Sequence, residues 1–322
     1  MGCEPGREIH AVVDFYCREP VLRDSLVRAL QRPGFPLHPD APCRSGTLTL
    51  GAYYSIRGEV SSAAYWLAAA VEIQMAASYM LDHVADGEVD PAHGLSPGEE
   101  LTLGMSLLRC AAGAAGDVLA ETTWSCGGDA PLQVFHRSYL DACAGQLLDL
   151  RLEHATTPTT DFALEMTVLK SGSLGRLAAA AGATLAEIDA RGLQTYGDLG
   201  SNLFTYAQLV DDVRDACDSP GQPSDLDRGK KTVPLVFFYN CFKASDPELA
   251  ASVTKDLGLD GEVREQFELS GARAFCAIVA MAFLGRARDG LAELRREHRN
   301  VDRLEDLVDS LEVTAEPVLA PS

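Results

Sequence analysis

"AQLVDDVRDACDSPGQPSDLDRGKKTVP", residues 207–234, sets how the rest of the chain is read. An apolar, helix-like run delivers Asp211 and Asp215 one turn apart, with Asp212 beside the first. Residues four apart share a helix face. A Pro/Gly/Asp-rich loop follows, then Lys230 and Lys231, and then Thr232 and Pro234 at what reads as a new helix start. Carboxylates at a helix C-terminus oppose the helix dipole, so they favour a nearby cation. A lysine on a loop facing such a helix end is placed to clamp a phosphate group. Taken singly, each part also has a plain reading: a solvated acidic helix end, and a surface loop with a routine Lys-Lys pair.

Upstream, "EIQMAASYMLDHVADGEVD", residues 72–90, repeats the arrangement with Asp82 and Asp86, and with His83 beside Asp82. Two such helix ends in one chain invite a compensating metal. Oxygen ligands next to a phosphate suit Mg2+, which takes one or two carboxylates and completes its shell with phosphate oxygens and water.

The rest of the chain supports an all-α fold. Ala and Leu are abundant and β-branched alternation is scarce among the 322 residues. Helical periodicity predicts helices at 8–31, 46–56, 59–86, 97–120, 131–154, 161–182, 184–216, 232–243, 247–256, 261–288 and 301–313. Pro/Gly clusters separate them at 32–42, 86–100, 126–131 and 218–229. Ser96, followed by Pro97 and Glu99, has the form of a capped helix start. No long low-complexity linker divides the chain, so a single domain over 1–322 is expected.

Composition narrows the partners. With 47 acidic and 27 basic residues the net charge is −20, which argues against nucleic acid and anionic membrane. The longest apolar run, "AFCAIVAMAFLG", is too short to span a bilayer, so no integral membrane segment is expected. The nine cysteines are scattered and form no C-x-x-C pair, and "MGCEPGREIH" has no apolar signal region. Both features point to the cytoplasm.

Together these segments resemble the polyprenyl synthetase family, the trans-isoprenyl diphosphate synthases and their relatives, over roughly residues 40–240. The family's E-x-x-H-x-A-S-L-x-x-D-D-x-x-D helix appears as Glu72, Met75, Ala77, Ser78, Tyr79, Asp82, His83 and Asp86. Its G-x-x-x-x-x-x-F-Q-x-x-D-D-x-x-D helix appears as Gly200, Ala207, Gln208, Asp211, Asp212 and Asp215. Its D-L-x-x-G-K-x-T-x-P loop is complete as Asp225, Leu226, Gly229, Lys230, Thr232 and Pro234. Its Lys-Thr/Ser step matches Lys170 and Ser171, and its Gly-Gln helix matches Gly145 and Gln146.

The resemblance implies an isoprenoid synthase-type helical bundle around a central apolar cavity. It implies an allylic prenyl diphosphate held through three Mg2+ ions on Asp82, Asp86, Asp211, Asp212 and Asp215. Lys170, Gln208 and Lys230 would be the catalytic contacts to that diphosphate. Diphosphate would leave and an allylic carbocation remain, with charge spread over metals and donors and water kept out by the cavity. A homodimer is the family expectation.

One part of the family pattern is missing. Chain-elongating members bind isopentenyl diphosphate through a G-K-R-x-R-P segment, a helix histidine and arginines after the first aspartate motif. Here only Arg44 remains of the first, Met75 replaces the histidine, and no Lys or Arg occurs between Arg57 and Arg109. Glu88 and Asp90 stand where cations are expected. Charged phosphate contacts contribute about 1.5–3 kcal/mol each, so ordinary head-to-tail elongation is disfavoured. The preferred expectation is therefore a class I terpene synthase acting on one C15 or C20 diphosphate, since Ala77 and Ser78 leave room upstream of Asp82. The alternatives are a prenyltransferase, with a non-isopentenyl acceptor or with atypical elongation, and a degenerate non-catalytic partner subunit. His83 occupies the middle of its motif, rotated about 100° from its neighbour, so it need not break the metal site. It reads either as a hydrogen-bond donor to diphosphate or carboxylate or as a solvated helix end.

Overall fold

The computed structural model describes residues 5–89, 94–122, 130–217, 224–243 and 261–319. Among these every regular element is helical, so the all-α expectation holds. In chain order they are α1 (Gly6–Tyr16), α2 (Pro20–Leu30), α3 (Arg44–Arg57), α4 (Ser62–Ala85), α5 (Pro97–Leu119), α6 (Pro131–Glu153) and α7 (Thr160–Thr167). A π-helical turn (Val168–Gly172) then runs into α8 (Ser173–Leu185). After it come α9 (Ala190–Cys217), α10 (Asp225–Arg228), α11 (Val233–Lys243), α12 (Gly261–Leu269), α13 (Ala272–Arg296) and α14 (Asp302–Leu319).

The chain packs as two units. One comprises Met1–Ser138, Arg176–Gly200 and Gly290–Leu307; the other comprises Tyr139–Gly175, Ser201–Asp289 and Val308–Ser322.

In the first unit α4 is the central helix and packs on α1, α3 and α5. Leu67, Ala68, Ala69, Ala70, Val71 and Ile73 are all buried. A helix that is apolar on every side belongs inside a core. Ser61 caps it by accepting the Ala64 N–H. α5 starts with the capping box foreseen from Ser96 and Glu99, the hydroxyl accepting Glu99 N–H and the Glu99 carboxylate accepting Ser96 N–H at 2.8 Å. α8 crosses α3 at very short range: a Cβ on Gly182 would stand 2.1 Å from the Thr49 carbonyl oxygen. At the same crossing the Thr49 hydroxyl donates to the Ala178 carbonyl at 2.9 Å.

In the second unit α7 packs on α11. Phe238 meets Phe267 edge-on at 5.7 Å, and Phe237 stacks on Phe275 at 4.2 Å. The Tyr239 hydroxyl donates to the Thr156 carbonyl at 3.0 Å.

Several expected helices divide. The 8–31 segment splits because Pro20 has no N–H to continue α1 and instead opens α2. The 261–288 segment splits at Gly271, whose φ of 77° breaks the right-handed path. The 161–182 segment contains the π turn. The expected 184–216 helix begins later, at Ala190, after Glu187 adopts a φ of 60°. α14 runs past its expected end at 313 and includes Pro317. The helix expected at 247–256 lies outside the described residues, as do Asp90 and most of the loop before Asp225.

Candidate active site

In the second unit the site is built where α6, the π turn and α9 meet. Gly145 on α6 lies directly against the π turn: a Cβ there would stand 2.2 Å from Lys170 N and 2.5 Å from its Cα. Only glycine permits that approach of two backbones. Across the turn, a Cβ on Gly172 would stand 2.6 Å from Thr205 Oγ1 and 2.9 Å from Ser201 Oγ, both on α9. The turn is thus clamped on two sides, and π turns carry one extra residue per winding.

The clamp directs its side chains. Lys170 Nζ lies 2.7 Å from Asp149 Oδ2, one helical turn after Gly145. Ser171 Oγ donates to Gln208 Oε1 at 2.9 Å, and Gln208 Nε2 donates to Asp212 Oδ1 at 2.8 Å. With both ends of its amide engaged, Gln208 has a defined orientation.

The acids of this unit crowd one another. Asp212 is buried, and desolvation pushes its carboxyl well above the usual range. Asp225, Asp211 and Asp149 push it the same way, against the hydrogen bond from Gln208. Asp215 is raised first by burial and then by Asp211, with Arg214, Arg228 and Lys230 opposing. Asp211 pairs with Arg214 at 2.5 Å. Burial and like charge both disfavour the ionised forms of these carboxylates, and a metal cation beside them would offset that.

The two adjacent lysines differ. α10 ends in a turn of Schellman type, with Gly229 at φ 69° and the Lys230 N–H donating to the Asp225 carbonyl at 3.0 Å. Lys231 turns inward and its ammonium donates to the Gly229 carbonyl at 3.0 Å. Burial lowers its pKa, with Glu153 acting the other way. Lys231 therefore ties down the turn, while half-buried Lys230 lies within the field of Asp215. Thr232 accepts the Val236 N–H at 2.9 Å, so α11 starts within a residue of its expected position.

In the first unit, Asp82 sits on the last turn of α4 and Asp86 is the residue that ends it, its N–H donating to the Asp82 carbonyl at 2.9 Å. Gly87, at φ 71°, closes a full Schellman motif. Glu88 N–H reaches the His83 carbonyl at 2.8 Å and Gly87 N–H reaches that of Val84 at 3.3 Å. His83 is not a bare solvated residue. Its ring lies 4.0 Å from that of Tyr79, which meets Phe35 edge-on at 5.5 Å. The Arg32 guanidinium covers Phe35 at 4.5 Å and pairs with buried Glu100 at 2.7 Å. Arg44 is half-buried at the first position of α3.

Lys170, Gln208, Asp211, Asp212, Asp215 and Lys230 are thus gathered in one unit, and Arg44, Asp82 and Asp86 belong to the other. Among the described residues, no three His, Cys, Asp or Glu side chains form a metal-holding group by themselves. Asp149, the partner of Lys170, was missed in the sequence. The signal for it was an acid one turn beyond Gly145 on the same helix.

Comparison with known proteins bears on this arrangement. Residues 112–269 match the family model described as Polyprenyl synthetase. Over 192 residues the chain is 29% identical to the geranylgeranyl diphosphate synthase of Mycobacterium tuberculosis, a match covering 58% of this chain and 55% of that protein. The chain thus spans about half the length of this curated relative. The fold superposes on the polyprenyl synthase of Caulobacter crescentus CB15, solved with calcium and isoprenyl diphosphate, with a TM-score of 0.77 and 21% identity, covering 99% of this chain and 94% of that one. It also superposes on the geranylgeranyl pyrophosphate synthase of Corynebacterium glutamicum, solved with isoprenyl diphosphate and magnesium, with a TM-score of 0.69 and 17% identity, covering 99% and 98%. The fold is that of the isoprenyl synthases, an all-α class. The likeness to the polyprenyl synthetase family holds in sequence over residues 112–269, which contain the second aspartate helix and the Gly-Lys loop but not the first aspartate motif. No described helix is long and apolar enough to cross a membrane.

Proposed function

We propose that this protein is a Mg2+-dependent enzyme of prenyl diphosphate synthase type that ionises an allylic prenyl diphosphate, C15 or C20, and transfers the prenyl group to an acceptor. The observation that carries this reading is the interleaving of cations and carboxylates in the second unit. Lys170 on Asp149, Gln208 on Asp212, and Lys230 near Asp215 make a surface suited to a polyanion arriving with cations. The relatives described above support transfer, because those named are synthases of prenyl diphosphates.

In this reading Asp82 and Asp86 of the first unit, and Asp211, Asp212 and Asp215 of the second, are metal-holding carboxylates, with three ions by family expectation. Bound Mg2+ would neutralise the charge of the leaving diphosphate. The chain's own groups then have separate tasks. Lys170 and Lys230 bind diphosphate oxygens, with Lys170 exchanging Asp149 for the substrate. Gln208, fixed by Ser171, presents its amide beside the same group. As the carbon–oxygen bond breaks, its electron pair leaves with the diphosphate, and these donors stabilise the charge that develops there. The protein acts as a homodimer in the cytoplasm.

A second reading has one specific observation behind it. The stretch between Arg57 and Arg109 carries no Lys or Arg, and Glu88 follows the first acidic cluster. A second diphosphate would find Arg44 and little else, which favours a class I terpene synthase using a single substrate. Incubation with Mg2+ and geranyl, farnesyl or geranylgeranyl diphosphate, with and without isopentenyl diphosphate, separates the readings by mass spectrometry. A longer diphosphate formed only with both substrates supports elongation. Hydrocarbon or alcohol from a single substrate supports cyclisation. Absence of turnover in every mixture, with other nucleophiles included, would sink both in favour of a non-catalytic partner subunit.

A further inference from the structure

We infer that Glu72, on α4, is a positioning residue: it supplies the N-terminal cap of α3 and through that cap holds Arg44 in place. A helix start leaves backbone N–H donors without helical partners. α3 begins after Cys43, which sits in the left-handed region at φ 41° and ψ 47° and provides no side-chain cap. The donors are satisfied from a different helix. Glu72 Oε1 accepts the Gly46 N–H at 2.5 Å, and the Ser45 N–H also points its bond at this carboxylate. These are the second and third residues of α3, the donors that a local Ser or Asp cap would take.

The fit is close. A Cβ on Gly46 would stand 3.0 Å from both Glu72 Cγ and Pro5 Cγ, so a side chain there would displace the carboxylate. Glu72 is only 6% exposed. The forces on its carboxyl are burial, which lifts it to about 7, and these two backbone donors, which act the other way.

Arg44 is the residue immediately before the tied donors. Its backbone is fixed by the cap, and so is the direction in which its side chain leaves the helix. The Ser45 and Gly46 donors are already occupied, so an anion at this corner meets the Arg44 guanidinium rather than an open helix N-terminus. Only this last link, from Arg44 to a diphosphate, rests on the proposed function.

Hydrogen exchange and kinetics test the two links separately. In Glu72→Ala the Ser45 and Gly46 amides should exchange at least about fivefold faster than in the wild type, while Glu72→Gln, which keeps an acceptor oxygen, should stay near the wild-type rate. Unchanged exchange in the Ala variant, or lost protection in a folded Gln variant, overturns the cap. With Mg2+, an allylic diphosphate and isopentenyl diphosphate, Glu72→Ala and Arg44→Ala should each raise the KM for isopentenyl diphosphate, and the double variant should be no worse than Arg44→Ala alone. Multiplying effects would show that Glu72 does not act through Arg44. A wild type without turnover would defeat the functional reading, and the exchange data would still decide the cap.

Discussion

The Lys170 ammonium is held 2.7 Å from the Asp149 carboxylate, and both side chains are largely shielded, at 24% and 17% exposure. Asp149→Asn keeps the shape and removes the charge. It should cost about 2 kcal/mol of stability, the scale of a hydrogen bond to a charged group, and urea unfolding measures it. A variant as stable as the wild type would show that the pair contributes nothing to folding and that its role is confined to the substrate.

Gly145→Ala should be far more disruptive than its size suggests. Its methyl group would meet the Lys170 backbone at 2.2 Å, so the π turn must move. A loss of about 1–3 kcal/mol is expected for such overpacking, together with loss of turnover. Gly285→Ala in α13 is the control, since nothing lies within 4 Å of its added Cβ. That change should stabilise the helix by about 0.5–1 kcal/mol. Thermal unfolding of the two variants should shift in opposite directions.

Glu72 predicts an unusual pH dependence. Its carboxyl is raised from 4.5 to about 7 on folding, so between these values the native state binds the extra proton. The contribution to stability is therefore greatest at low pH, declines as pH rises from 4.5 to about 7, and is flat above that. Glu72→Gln should remove this decline. Denaturant melts of both proteins at steps between about pH 5 and 8 should show the wild type losing ground to the variant as pH increases; parallel profiles would contradict the buried ionisation.

Metal dependence follows from the acids. Asp82→Ala and Asp211→Ala should each abolish turnover, as should chelation, and added Mg2+ should restore only the chelated wild type. Circular dichroism should show unchanged helical content, because both residues lie at the C-terminal end of a helix. Retained turnover in either variant would remove that residue from the metal site.

The main helices were legible because their punctuation is local. Ser96 and Glu99 announced α5, and Thr232 announced the start of α11 to within a residue. The break at Pro20 was equally local, yet the apolar periodicity on both sides of it hid it. The π turn had no such signal. Lys170 lies in a sequence that continues its helical pattern, and what unwinds it is a glycine 25 positions earlier on another helix. Asp149, and the capping role of Glu72, escaped for the same reason, since their partners, Lys170 and the backbone of Gly46, are near only after folding. The acidic helix ends were easier, because both carboxylates of each pair are on one helix and their spacing alone puts them on one face.

The π turn also makes the site sensitive to length and not only to composition. A winding with one surplus residue lets the flanking helices keep their own registers while a single side chain is pushed out of line. Deleting one of its residues other than Lys170 would leave an unbroken α-helix. That healed helix would swing Lys170 by roughly 100° around the axis and away from Asp149. At this point of the chain, the irregularity is what aims the cation.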